Sequence, residues 1–112
     1  MVVDTSAVVA ALSGEPERER INAALARSTT NLMSAGTYLE CAIVLAAKYG
    51  DDGLHDLRLY LHEAGVEVVP VDRDGAETAL RGWARFGRGR HPAALNYGDC
   101  FAYALASARE AP

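Results

Sequence analysis

Three short runs of apolar and β-branched residues separate longer stretches that have helical periodicity. Met1–Asp4 and a second run near Thr30–Ser34 have the length of buried strands. The run from Val66 to Val71 is the clearest strand, and Pro70 marks its end or its edge because proline cannot donate to a sheet ladder. All three runs are short, so the pattern predicts a small sheet.

The stretches between these runs repeat their apolar residues at helical spacing. Ile21, Ala24 and Leu25, for example, stand at i, i+3 and i+4. Gly50 and Gly65 would end two of the helices, because glycine commonly follows a helix C-terminus. The pattern predicts helices at Ser6–Leu12, at Glu15–Arg27, from Ser34 or Ala35 to Tyr49, at Asp51–Ala64 and at Tyr97–Arg109. The first of these would have Thr5 or Ser6 as its cap. A further helix, capped by Asp72 or Asp74, would carry Ala76, Ala79, Leu80 and Trp83.

Strands that alternate with helices predict parallel pairing and a layered α/β fold. The chain has 112 residues, of which 50% are hydrophobic, so it can bury a core of its own. No repeat or low-complexity linker divides it, and residues 1–112 are therefore expected to form a single domain. In open parallel sheets, ligands bind at the carboxyl ends of the strands.

Three carboxylates stand alone among apolar residues. Asp4, Glu40 and Asp99 are each the only charged residue in a stretch of at least 12 residues. An ionised carboxylate in such surroundings is costly unless a cation or a hydrogen-bond donor meets it. Asp4 follows the first strand, Glu40 lies about two turns into a helix, and Asp99 lies in the first turn of the last helix. All three positions are compatible with one edge of the sheet, which predicts metal-dependent chemistry there.

Each acid also has a purely local interpretation. Asp4 could cap the turn that follows the first strand. Asn96 and Asp99 have the spacing of a variant capping box. Glu40 could project from the solvent edge of its helix, although no cationic residue lies one turn away from it.

A net charge of −4 argues against nucleic acid binding, but the charges are unevenly distributed along the chain. Arg81, Arg85, Arg88 and Arg90 fall within eleven residues that contain no acid. Such a local group, here called the basic strip, can follow a phosphate backbone even on an acidic protein. A solvated helix face that runs into a loop is the alternative.

The remaining composition indicates a cytoplasmic protein without a membrane segment. Cys41 and Cys100 are predicted to be buried thiols, because neither has a second cysteine nearby for a disulfide or a zinc site. No apolar run reaches the roughly 18 to 20 residues that a membrane helix needs. The apolar start of the chain contains an acid and lacks a basic region, unlike a signal peptide.

A family resemblance is carried by three segments, VVDTSAVVAALSGEPE, MSAGTYLECAIVL and LNYGDCFAYALA. In order and spacing they resemble the signature segments of PIN-domain proteins, specifically the VapC-type toxins of bacterial toxin–antitoxin pairs. The resemblance covers essentially the whole chain. It implies a PIN-like three-layer sandwich, in which helices flank a short parallel sheet. It also implies a magnesium- or manganese-dependent endoribonuclease that a small cognate antitoxin inhibits.

The resemblance assigns roles to the isolated acids. Asp4, Glu40 and Asp99 match the first three members of a catalytic quartet that holds the metal ion. Ser6 and Asn96 match polar positions near that site, and we expect them, together with the basic strip, to bind the RNA.

The C-terminus departs from the family pattern. Family members usually continue past Pro112 with a strand, a loop that carries a fourth acid, and a final strand. The domain is therefore expected to be C-terminally incomplete, without those strands and that acid. Val2 and Val3 would then lie at an unprotected sheet edge, which favours a homodimer joined to antitoxin chains.

Two other classes of function remain open. In a phosphoryl-accepting domain Asp4 would be the nucleophile, but the dehalogenase pattern needs an acid where Ser6 stands, and Lys48 is the only lysine available to a receiver-like site. In a non-catalytic binding module, the acidic cluster would receive an arginine from a partner. Cleavage of labelled RNA with and without metal distinguishes these classes from a nuclease.

Overall fold

A computed structural model describes residues 1–87 and 96–109 of the chain. These residues form six helices and two strands. In chain order the elements are α1 (Thr5–Leu12), α2 (Arg18–Arg27), β1 (Asn31–Ser34), α3 (Ala35–Tyr49), α4 (Asp51–Glu63), β2 (Val66–Val69), α5 (Arg73–Phe86) and α6 (Tyr97–Arg109).

The sheet is parallel, and β1 lies at its centre. β1 and β2 pair in register from Asn31 opposite Val66 to Ser34 opposite Val69. The segment before α1 lies along the other edge of β1, where Val2 forms a bridge with Leu32. The Leu32 carbonyl accepts the N–H of Val3 at 2.8 Å.

Helices cover both faces of this sheet. All four residues of β1 are buried, and α3 and α6 both contact the strand. The main core joins the start of the chain and β1 to α1, α2, α3 and α4, and its buried members are Val3, Val8, Leu25, Met33, Cys41, Leu45, Leu57 and Leu61. A second, smaller cluster joins α5 to α6. The predicted α/β class, with a short parallel sheet flanked by helices, is confirmed.

Most predicted element bounds hold, and the differences have local causes. The first strand is reduced to the bridge at Val2. The second helix begins at Arg18 rather than Glu15, after a turn in which the Arg18 N–H donates to the Glu15 carbonyl at 3.0 Å. β2 ends at Val69 rather than Val71, because Pro70 has no N–H for the ladder.

A close approach between α3 and α6 depends on Gly36. A Cβ at this position would lie 2.5 to 2.7 Å from ring atoms of Phe101, a separation that real Cβ atoms essentially never show. Because Gly36 has no side chain, the first turns of α3 and α6 can lie against each other, which places Glu40 and Asp99 on the same side of the molecule.

Within the described residues, no helix combines the length and the apolar character needed to cross a bilayer.

Candidate functional site

One open cavity contains all three isolated acids. It has a volume of about 330 Å³ and lies between α1, α3 and the start of α6. Its lining comprises the three predicted acids, the two predicted polar residues and five further residues: Asp4, Glu40, Asp99, Ser6, Asn96, Thr5, Val9, Thr37, Val44 and Gly98. We call it the acidic cavity. Acids separated by 36 and 59 positions in sequence thus share one surface.

Asp4 is fixed by the beginning of α1, for which it is the N-cap. Its Oδ1 accepts hydrogen bonds from the backbone N–H of Ala7 at 2.9 Å and from the Ser6 hydroxyl at 3.2 Å. The sequence predicted Thr5 or Ser6 as this cap, and that prediction was wrong. Asp4 has the extended backbone of a cap, whereas Thr5 and Ser6 are already helical, and its charge suits the positive helix end. Asp4 Oδ2 accepts no hydrogen bond from the residues that the structure describes.

Asp99 is held in the same manner at the beginning of α6. The Asn96 side chain accepts the backbone N–H of Asp99 at 2.8 Å, and Asp99 Oδ2 accepts the backbone N–H of Asn96 at 3.1 Å. This reciprocal pair is the capping box that the spacing of the two residues suggested. Asp99 Oδ1 has no donor among residues 1–87 and 96–109.

Glu40 is half-buried in the second turn of α3 and is held by another helix. The Thr5 hydroxyl, at the start of α1, donates a hydrogen bond to Glu40 Oε1. The carboxylate also lies against Gly98 in the first turn of α6, where a Cβ would come within 2.7 Å of Glu40 Cδ. Within the described part of the chain, Oε2 accepts no hydrogen bond.

Thr37 lies one turn before Glu40 on the same wall of the cavity. Its side chain is 1% exposed, and its hydroxyl oxygen has no hydrogen-bond partner within the described residues. A helical threonine commonly donates to the carbonyl four residues earlier. A buried hydroxyl without a partner is costly, and this one belongs to a residue that lines the acidic cavity.

The donor groups of the acidic cavity fit a hard divalent cation. Carboxylate, hydroxyl and amide oxygens are the ligands that Mg²⁺ and Mn²⁺ prefer. No three His, Cys, Asp or Glu side chains of the described residues are gathered into a complete metal site. Mg²⁺ keeps several waters and is usually held by one or two protein carboxylates. Loosely spaced acids with one unused oxygen each therefore suit it better than they suit zinc.

The two cysteines beside the acids remain neutral thiols. Burial raises the pKa of Cys41 to about 11, with the neighbouring Thr5 side chain acting to lower it and with smaller contributions from the charges of Glu40 and Asp4, which raise it. Burial also raises the pKa of Cys100, and the Asp99 charge adds to that effect. Both thiols are buried and free, as predicted. Neither thiol lines the acidic cavity, so the donors that the cavity presents are oxygens.

The basic strip is a separate feature as far as the structure describes it. Arg81 and Arg85 lie four residues apart on α5, are exposed, and do not line the acidic cavity. Arg81 donates to the Thr78 hydroxyl at 3.0 Å, and the Arg85 guanidinium lies 5.0 Å from the centre of the Phe86 ring. Arg88 and Arg90 lie outside the described residues. Whether the strip binds RNA stays a prediction.

One finding bears on what the sequence left open. Lys48 donates to the Ser13 hydroxyl at 3.0 Å and does not line the acidic cavity, so the lysine that a receiver-like site would need is not in this site.

Three residues of the acidic cavity were not identified as site residues from the sequence: Thr5, Thr37 and Gly98. Only Thr37 carried a signal, because it stands three residues before Glu40 and so shares its helix face.

Comparisons with known proteins identify the family of this chain. The PIN domain family model matches residues 1–112. Ribonuclease VapC of Mycolicibacterium smegmatis is 48% identical over 112 residues, which are 100% of this chain and 87% of the relative. Ribonuclease VapC30 of Mycobacterium tuberculosis is 50% identical over 106 residues, covering 95% of this chain and 81% of the relative. Ribonuclease VapC36 of the same organism is 42% identical over 113 residues. The chain therefore belongs to the PIN-domain family and, within it, to the VapC ribonucleases.

Proposed function

We propose that this protein cleaves RNA at internal phosphodiester bonds, as the toxin of a toxin–antitoxin pair, with a Mg²⁺ or Mn²⁺ ion held by Asp4, Glu40 and Asp99. The observation that carries the proposal is the acidic cavity itself. Three helices each contribute one carboxylate to it, and each carboxylate has one oxygen bound to the protein and one oxygen that no described residue uses. PIN-domain ribonucleases are in general dependent on divalent metal ions.

The protein would orient the carboxylates, and the bound ion would supply the charge that the reaction needs. A bound divalent ion supplies positive charge for the phosphate and lowers the pKa of water. Asp4 and Asp99 are held by helix caps, and Glu40 is held by Thr5, so all three are oriented before any ligand arrives. The cavity is open on one side, which leaves room for an RNA backbone. Ser6 and Asn96 orient Asp4 and Asp99, and contact of either residue with RNA stays a prediction.

Metal dependence is the first test of this proposal. With a panel of labelled RNAs, cleavage should require added Mg²⁺ or Mn²⁺ and should stop when EDTA is present in excess. The relative rates with the two ions identify the preferred metal. Cleavage that continues at full rate after chelation and dialysis would contradict the assignment of Asp4, Glu40 and Asp99 as metal ligands.

We also propose that a cognate antitoxin inhibits the protein by placing an arginine in the acidic cavity. A guanidinium forms paired, charge-assisted hydrogen bonds with carboxylates and therefore competes with the ion for the same oxygens. Inhibition by the antitoxin should weaken as Mg²⁺ is raised, and replacement of that arginine should relieve it. If inhibition does not change with Mg²⁺ concentration, the antitoxin acts elsewhere on the protein.

Two further expectations concern the state of the protein in the cell. No strand of the described residues pairs with the outer edge of the segment Met1–Val3. We propose that the working protein is a homodimer, which sedimentation of the purified protein at several concentrations would test. A cytoplasmic location follows from an RNA substrate and is checked by cell fractionation.

A further inference from the structure

Glu40 is the only one of the three acids that depends on another helix for its position. Asp4 and Asp99 are anchored within their own helix starts by caps. Glu40 projects from the middle of α3, and its carboxylate is reached by Thr5 from α1 and Gly98 from α6. A glutamate side chain has several rotatable bonds, so without these contacts it would sample many positions.

The Thr5 contact fixes one oxygen of this carboxylate. The hydroxyl of Thr5 donates to Oε1 across 35 positions of sequence, and the pair is partly buried. The bond leaves Oε2 without a donor among the described residues. Outer hydrogen bonds of this kind orient a metal-binding carboxylate and hold it ready for the ion.

The Gly98 contact confines the same carboxylate from α6. Gly98 is buried and helical, and its φ is not in the left-handed region, so backbone conformation does not require glycine here. A Cβ at position 98 would come closest to Oε2 of Glu40 and would lie 2.6 Å from Oε1 and 2.7 Å from Cδ. The clash involves the end of a flexible side chain and no backbone atom, so an added methyl group would displace the carboxylate and leave the helices in place.

We propose that Thr5 and Gly98 are positioning residues that together hold the Glu40 carboxylate in its metal-binding position. Thr5 holds the Glu40 carboxylate with a hydrogen bond. Gly98 has no side chain, and so it leaves the space that this carboxylate occupies. This inference rests on the proposed role of Glu40 as a metal ligand. Neither residue is assigned any contact with RNA.

The test measures Mn²⁺ affinity in the absence of RNA, for example by electron paramagnetic resonance of the free ion. Gly98→Ala and Thr5→Val should each weaken Mn²⁺ binding by about 10- to 100-fold, the usual effect of losing an outer-shell partner. Thr5→Ser keeps the hydroxyl and should bind Mn²⁺ like the wild type. The melting temperature of metal-free Gly98→Ala should be equal to or higher than that of the wild type, because alanine favours a helix over glycine.

Gly75→Ala is the matched control for the glycine substitution. Gly75 also lies in the first turn of a helix, but it is away from the acidic cavity, and the nearest contact of a Cβ there would be 3.2 Å. This variant should leave Mn²⁺ affinity unchanged. A second control places Thr5→Val in a Glu40→Gln background, where it should cause no additional loss because its partner has already changed.

The outcomes separate this inference from the function on which it rests. If Glu40→Gln itself binds Mn²⁺ as tightly as the wild type, Glu40 is not a ligand and the proposed function is wrong in that respect. If Glu40→Gln loses affinity whereas Thr5→Val and Gly98→Ala do not, Glu40 is a ligand that needs no such support and the inference is overturned. A lowered melting temperature of metal-free Gly98→Ala would also contradict it, because the methyl group would then have displaced the helices.

Discussion

Replacing Asp4 with asparagine is expected to abolish RNA cleavage and to leave the metal-free protein as stable as the wild type. Asn and Asp are equally good N-cap residues, so the hydrogen bond from the Ala7 N–H to the side-chain oxygen survives the substitution. What is lost is the negative charge, and the favourable interaction of that charge with the dipole of α1 is offset by reduced repulsion among the acids of the cavity. Because loss of an outer-shell partner alone costs about 10- to 100-fold in activity, loss of a ligand should cost more than about 100-fold.

Asp99→Asn should have the same effect on cleavage and a similarly small effect on stability. The capping box with Asn96 can persist, but a neutral side chain in the first turn loses about 0.3–1 kcal/mol of interaction with the helix dipole. Reduced repulsion among the acids of the cavity offsets part of that cost. Thermal melts without Mg²⁺ measure the change in stability. Melts with Mg²⁺ measure whether the ion still binds, since only the wild type should be stabilised by it.

The chain offers a matched control for these substitutions. Asp72 caps α5 in the same way, accepting the N–H of Gly75 at 2.7 Å, and it does not line the acidic cavity. Asp72→Asn should therefore be silent in cleavage and should lose at most about 1 kcal/mol of stability, from the interaction of its charge with the helix dipole. The alanine variants Asp4→Ala and Asp72→Ala should each lose about 1 kcal/mol of stability, because both remove a cap. If Asp4→Asn cleaves RNA as well as Asp72→Asn does, Asp4 is a helix cap and nothing more.

The roles of Asp4 and Asp99 as caps do not exclude a role in the site. From the sequence, a helix cap and a metal ligand looked like competing interpretations of the same carboxylate. In the structure, one oxygen of each acid satisfies backbone N–H groups and the other is unused by the described residues. A cap therefore gives a carboxylate a fixed direction, which a binding site needs. The metal-binding role itself awaits the experiments above.

Local patterns predicted most of the elements around the site. The bounds of the last helix, Tyr97–Arg109, and its capping box follow from residues a few positions apart, and both are confirmed. The family assignment and the ribonuclease activity that it implied are confirmed as well, because the family model and the VapC relatives match nearly the whole chain. The sheet was harder, since the pairing of Val2 depends on where β1 lies and not on its own neighbours.

Contacts between distant segments could not be predicted in this way. The hydrogen bond from Thr5 to Glu40 joins two helices, and nothing near either residue indicates it. The need for glycine at position 98 appears only when the Glu40 carboxylate is seen beside it. Both depend on how α1, α3 and α6 pack. The sequence thus indicated which acids would form the site, but it did not indicate how they are held.

Removing Arg81 and Arg85 together is expected to weaken RNA binding and its dependence on salt, with the turnover of bound RNA unchanged. Both side chains are exposed on α5 and neither lines the acidic cavity, so they can contact phosphates but not the reacting atoms. Each phosphate contact with a single strand contributes about 0.7 to the slope of log affinity against log salt. The double alanine variant should therefore have a slope lower by about 1.4.

Binding is best measured with the Asp4→Asn variant as the background, since it should not cleave the RNA during a titration between about 50 and 200 mM salt. Arg20 and Arg58 provide the control, because they are exposed arginines on α2 and α4 and do not line the acidic cavity. Their double alanine variant changes the net charge by the same amount, so it reports any effect of overall charge. If the two double variants have the same slope, Arg81 and Arg85 are a solvated helix face and the RNA follows another path across the protein. If only the first has the lower slope, α5 carries part of the RNA backbone toward the acidic cavity.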